Sequence, residues 1–212
     1  MTEKMTYSRP HFTIGTIGAV DHGKTTLLRA ILRVQTSKSM ADYGLYHDLF
    51  THTESSEIIV AEYQSTYHHY THIDCPGGDE YTENIVTTIA QLDCAILVVA
   101  EDAGLREETY EHVRLAREAD IRNLIVYINK CDMIGDPEMR DYLEQDIRAL
   151  LNEHGFDGNN TPVIPGSALS AWETGNSDSI WVGRINDLIE AIDQASLNLM
   201  SLDDYIPQSR RT

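Results

Sequence analysis

The 212 residues are 42% hydrophobic and 24% charged, the balance of a globular chain with one full core or two very small ones. With 16 basic and 34 acidic residues the net charge is −18, a field that opposes nucleic-acid backbones and argues against direct nucleic-acid binding by this chain alone. No apolar run approaches the ~20 residues that span a bilayer, Met1–Thr6 has no apolar signal core, and Cys75, Cys94 and Cys131 follow no metal spacing; a cytoplasmic protein with no membrane partner and reduced thiols is expected.

In chain order, the apolar, β-branched run Phe12–Ile17 predicts a strand and Thr26–Val34 a helix. Between them Gly18-Ala19-Val20-Asp21-His22-Gly23-Lys24-Thr25 fits the phosphate-binding pattern GxxxxGK[ST]. A loop with glycine at both ends can turn successive N–H groups toward phosphate oxygens, and the helix dipole adds to the attraction. Lys24, expected in a solvent-facing loop, would reach the β- and γ-phosphates as a catalytic cation. The Thr25 hydroxyl would be a Mg2+ ligand. Val20, Asp21, His22, Gly23 and Thr26 complete the expected nucleotide-binding set.

A polar stretch runs from about Gln35 to Glu57. Two β-rich runs, Ile58–Tyr63 and Tyr67–Ile73, then flank Gln64-Ser65-Thr66 as a hairpin. His68, His69 and His72 raise a metal site against ordinary strand residues, and the second is favoured. A glycine pair, a helix through about Gln91 and the buried strand Cys94–Val99 follow. Leu105–Ala119 reads as an acidic amphipathic helix, and the acidic stretch Glu101–Asp120 as a solvated face rather than a docking surface. Leu124–Ile128 is another apolar strand. Pro137 opens a helix with Leu143, Ile147, Leu150 and Leu151 inward, which Gly155 ends. Val163-Ile164 is a short last strand, and Ile185, Leu188, Ile189 and Ile192 mark a final helix. Continuous apolar strands alternating with helices predict an α/β fold, a mostly parallel sheet covered on both faces, in a single domain over 1–212.

Ligands of such sheets bind beyond the carboxyl ends of the strands, where three further motifs fall. Asp74-Cys75-Pro76-Gly77 follows one strand; Asp74 would hold a Mg2+-bound water and the Gly77 N–H could reach the γ-phosphate. Asn129-Lys130-Cys131-Asp132 follows another. The Asp132 carboxylate can accept from N1 and N2 of guanine, Asn129 can bond N7 and brace the loop, and the Lys130 stem can lie along the base. Ser167-Ala168-Leu169 follows the last strand, and its backbone N–H can bond guanine O6. Four such loops in this order point to a guanine nucleotide, GTP or GDP, with Mg2+.

The chain resembles the GTP-binding domain of the translational GTPases, closest to elongation factor Tu. The similarity runs through Val20-Asp21-His22-Gly23-Lys24-Thr25-Thr26-Leu27, His72-Ile73-Asp74-Cys75-Pro76-Gly77, Asn129-Lys130-Cys131-Asp132-Met133, Gly166-Ser167-Ala168-Leu169 and Tyr205-Ile206-Pro207. It implies a P-loop NTPase G domain with a six-stranded sheet, a first switch loop at about 35–57 and a second at about 77–91. Met133 joins the base-binding set by the same resemblance. Asp21 would help place a monovalent cation or simply face solvent.

The departures bear on chemistry. The histidine that follows Asp-Cys-Pro-Gly in the family, which positions the attacking water, is Gly78 here, and Ala19 replaces a histidine of the phosphate loop. The Gly-Ile-Thr-Ile string of the first switch loop is missing, which leaves Ser55 as the Mg2+ ligand there, with Thr53 and Ser56 as rivals. No β-barrel domains are expected in these residues. The resemblance therefore implies a GTPase with intact binding and weak hydrolysis, partnered by a ribosome, translation factor or other protein. The alternatives are a hydrolysis-deficient GTP-binding regulatory module and the G domain of a relative devoted to selenocysteine delivery or sulfurylase activation.

Overall fold

The computed structural model describes residues 9–41, 58–75, 83–174 and 177–200, with backbone alone for 83–85. Six strands, β1 (His11–Ile17), β2 (Ile59–Gln64), β3 (His69–Asp74), β4 (Cys94–Ala100), β5 (Asn123–Asn129) and β6 (Val163–Pro165), form one sheet in the order β2-β3-β1-β4-β5-β6. Only β2 runs antiparallel, as the far arm of the hairpin with β3; β1, β3, β4, β5 and β6 are parallel. Their carboxyl ends consequently share one edge of the sheet. Register sets Thr16 beside Asp74, Ala100 beside Asn129 and Ile128 beside Pro165.

Seven helices cover the sheet among the described residues: α1 (Lys24–Ser37), α2 (Glu83–Ile89), α3 (Glu107–Glu118), α4 (Cys131–Ile134), α5 (Pro137–Glu153), α6 (Ala168–Thr174) and α7 (Ile180–Met200). The strand period of two divides the core. Cys94, Ile96 and Val98 of β4 face one cluster with Leu27, Leu28 and Ile31 of α1 and Ile185, Leu188 and Ile192 of α7. Ala95, Leu97 and Val99 face the other, with Val113 and Ala116 of α3 and Ile147, Leu150 and Leu151 of α5. Both faces of β4 are fully buried, which is why its sequence shows no alternation. No helix among the described residues is long and apolar enough to cross a membrane.

Local chemistry explains the element ends. Asp136 caps α5, accepting from the Glu138 N–H at 3.0 Å, with Pro137 in the first turn. The predicted Gln35 boundary moves outward: α1 continues through Ser37, and the Gln35 side chain is buried where it donates to the Gln64 carbonyl. The short helices α4 and α6 have too few residues to show a period and do not stand out in the sequence. The hairpin histidines have structural partners. Asp193 of α7 accepts from Ser65 Oγ at 2.5 Å, the Tyr70 hydroxyl at 2.7 Å and His68 Nδ1 at 3.1 Å, and His72 Nδ1 lies 3.2 Å from the Tyr63 hydroxyl.

Candidate functional site

The loop between β1 and α1 is held by its own glycines and by side chains from distant elements. Gly18 (φ 129°) and Gly23 (φ 87°) occupy positive-φ backbone. A Cβ on Gly18 would sit 2.4 Å from the Val98 carbonyl oxygen, and one on Gly23 would sit 2.3 Å from Asn129 Nδ2, so both positions exclude side chains. Asp21 (φ 62°) is a left-handed non-glycine residue in the same loop, a conformation that opens a concave array of N–H groups.

His112, buried on α3, accepts the Gly18 N–H on Nδ1 at 2.8 Å. His22 is buried within the loop, its Nδ1 3.3 Å from the Val98 carbonyl. Burial, aided by nearby cations, pushes both imidazoles down to about 4, so they are neutral near pH 7 and His112 keeps its acceptor lone pair. Lys24 departs from the sequence expectation. It is only 8% exposed and donates to the Ala19 carbonyl at 2.9 Å. Burial lowers its pKa, with the Asp74 carboxylate acting most strongly in the opposite direction.

Asp74, at the end of β3, accepts from Thr16 Oγ1 at 2.6 Å and from Thr25 Oγ1 at 2.5 Å. Burial raises its pKa against those two bonds and Lys24. Thr25 and Asp74 thus meet as a hydroxyl and a carboxylate, hard oxygen donors suited to Mg2+. Among the described residues no three His, Cys, Asp or Glu side chains group to hold a metal. Ser55, Thr53, Ser56, Gly77 and Gly78 lie outside the described residues.

On the other side, Asn129 is 3% exposed at the end of β5. Its Nδ2 donates to the His22 carbonyl at 2.9 Å and its Oδ1 accepts the Ala168 N–H at 2.9 Å. One amide therefore ties the phosphate-type loop to the loop after β6. Lys130 (φ 62°) turns the chain left-handed before α4, and its ammonium lies 3.2 Å from Asp102. Asp132 is exposed rather than buried, and its Oδ2 accepts from Ser170 Oγ at 3.0 Å. Met133 and Leu169 are exposed, whereas Ser167 and Ala168 are buried, with Ser167 Oγ accepting the Ser170 N–H at 3.2 Å. Val20 and Asp21 form an exposed rim, and Thr25 and Thr26 are half-buried.

The family model of the elongation factor Tu GTP-binding domain matches residues 9–197. The chain belongs to this family. As a GTP-binding domain of the elongation factor Tu type it binds GTP and GDP, and its family is one of GTPases. Within that domain the structure joins Thr25 to Asp74 and, through Asn129, the loop at His22 to the start of α6 at Ala168. It also adds His112, Ser170 and Arg106, whose Nη1 donates to the Val20 carbonyl at 3.4 Å. No motif marks these three: the His112–Gly18 bond spans 94 residues of sequence, and only the packing of α3 against the loop discloses it.

Proposed function

We propose that this domain is a guanine-nucleotide switch that hydrolyses GTP slowly. The observation that carries the reading is the Asn129 clasp, because it sets the phosphate loop and the Ala168 loop at a fixed separation. The N–H groups of Val20 to Thr26 would cradle the phosphates and Lys24 would meet the β- and γ-phosphates. Thr25 and Asp74 would hold Mg2+, which supplies positive charge to the phosphate oxygens when bound. Ser55 is proposed as its third protein ligand and the Gly77 N–H as a γ-phosphate donor. Asp132 would accept from guanine N1 and N2, the Lys130 stem and Met133 would flank the base, and the backbone at Ser167, Ala168 and Leu169 would meet O6. Adenine offers Asp132 no matching donors, so a guanine nucleotide should be preferred over ATP.

Gly78 stands where the family has its water-positioning histidine, so nothing at that position can orient the nucleophile. Slow turnover follows, with a protein partner of translation-related or other kind in the cytoplasm as the setting. A single domain over 1–212 is part of the same proposal. Calorimetry with GDP, GTP, a non-hydrolysable GTP analogue and ATP, followed by turnover on the same sample, tests it. Tight GDP and GTP binding, no ATP binding and slow turnover are expected; comparable ATP and GTP affinities would sink the assignment.

A further inference from the structure

Several arginines of this strongly acidic chain are held by carboxylates. Arg114 pairs with Glu111 and Glu118, Arg140 with Glu101, Arg148 with Glu144 and Arg184 with Asp187. Arg106 turns instead to the phosphate loop: its guanidinium donates to the Val20 carbonyl, and no carboxylate among the described residues ion-pairs with it. Its backbone is fixed, because it caps α3 and its N–H donates to Thr109 Oγ1 at 3.2 Å. A guanidinium has five donor hydrogens in a planar fork, so one bond to Val20 leaves the rest of the fork available at the loop rim.

The position matters because of its neighbour. Lys24 donates to the carbonyl of Ala19, and Arg106 to the carbonyl of Val20, the next residue. Two cations therefore converge on consecutive residues of the phosphate loop, at the end that Lys24 marks as the β,γ side. Arg106 is also close enough to His22 for its charge to help hold that ring neutral.

We propose that Arg106 is a built-in contact for the terminal phosphate of a bound nucleoside triphosphate, a catalytic cation supplied from within the chain. This rests on the nucleotide-site reading above. In hydrolysis, water oxygen bonds to the γ-phosphorus, the bond to the β,γ-bridging oxygen breaks with its electron pair going to GDP, and the water proton leaves with phosphate or solvent. Arg106 stays protonated throughout. It offsets charge on the γ-phosphate oxygens and the bridging oxygen.

The test uses the full chain with Mg2+ and the variants Arg106→Ala, Arg106→Lys and Arg114→Ala, the last removing one charge elsewhere on α3. GDP affinity should stay within about threefold in all of them, while Arg106→Ala should weaken a non-hydrolysable GTP analogue and slow single-turnover hydrolysis by about tenfold or more. Arg106→Lys should recover part of both, since it keeps the charge and loses the fork; Arg114→Ala should match wild type. An unchanged analogue-to-GDP affinity ratio in Arg106→Ala overturns the proposal, and so does an equal loss for both nucleotides, which would make Arg106 a brace of the loop only. Failure of the wild-type chain to bind GDP would remove the site reading and this proposal with it, whereas retained GDP binding with an unchanged ratio removes this proposal alone.

Discussion

Replacing Asn129 by alanine strands two buried groups, the His22 carbonyl and the Ala168 N–H. Each buried polar group left without a partner costs about 1–3 kcal/mol. The carbonyl has a second lone pair and tolerates the loss better, so about 2–4 kcal/mol in total is the working figure. In a domain of this size that corresponds to a fall in melting temperature of about 5–15 °C. Asn129→Asp separates the two bonds. It keeps an acceptor for the Ala168 N–H but faces a carboxylate oxygen to the His22 carbonyl, where the amide now sits at 2.9 Å. GDP affinity should therefore fall further in the aspartate variant than its melting temperature alone implies. Melting without nucleotide, paired with GDP calorimetry, measures both quantities. An alanine variant with wild-type melting and wild-type GDP affinity would refute the claim that this amide holds the two loops in place.

Three further outcomes are expected. Asp132→Asn should exchange guanine for xanthine preference, read as the GDP-to-XDP affinity ratio by calorimetry; a ratio that stays with GDP would place base recognition elsewhere. Lys24→Ala should lower GTP affinity by about 10-fold to 100-fold, the range for a lost charged hydrogen bond, and because the stem is buried it should also lower the melting temperature, whereas Lys24→Met should lose affinity with less effect on melting. Stability should fall as pH drops: His22 and His112 are held near 4 against an ordinary 6.5, so the unfolded chain binds these protons first. Each ring then removes up to about 3 kcal/mol between pH 6.5 and 4, with no contribution above about pH 7. Urea midpoints at pH 7.5 and 5 for wild type and His112→Gln isolate one ring, and equal pH dependence in the two proteins would show that His112 is not the titrating group.

The sheet was legible because β4 and β5 are continuous apolar runs, and the loops were legible because their residue types are tied to phosphate or base chemistry at fixed spacing. Gly18 and Gly23 show why: their positions are set by backbone geometry and by a carbonyl and an amide pressed against them. What the sequence does not display is what arrives from elsewhere in the fold. His112 and Asn129 act on the loop through long-range contacts. The burial of Lys24 and the exposure of Asp132 depend on how helices sit over the sheet edge, which local pattern does not encode. Ser170 lies three residues past a recognised motif residue, yet its bond to Asp132 exists only because α4 and α6 begin side by side.

The Asp193 junction gives the molecule two poles of different character. At one, the carboxyl edge of the sheet presents loops that hold small polar groups in place. At the other, the hairpin turn is bolted to α7 through three hydrogen bonds to a single carboxylate oxygen. Tyr67, at the tip of that turn, is 59% exposed and stands at the opposite end of β3 from Asp74. A fluorophore placed there would tumble with the rigid body as a whole while leaving the nucleotide end untouched. The fold thus provides its own handle for watching a partner arrive, by the slowing of rotation, without perturbing the chemistry being watched.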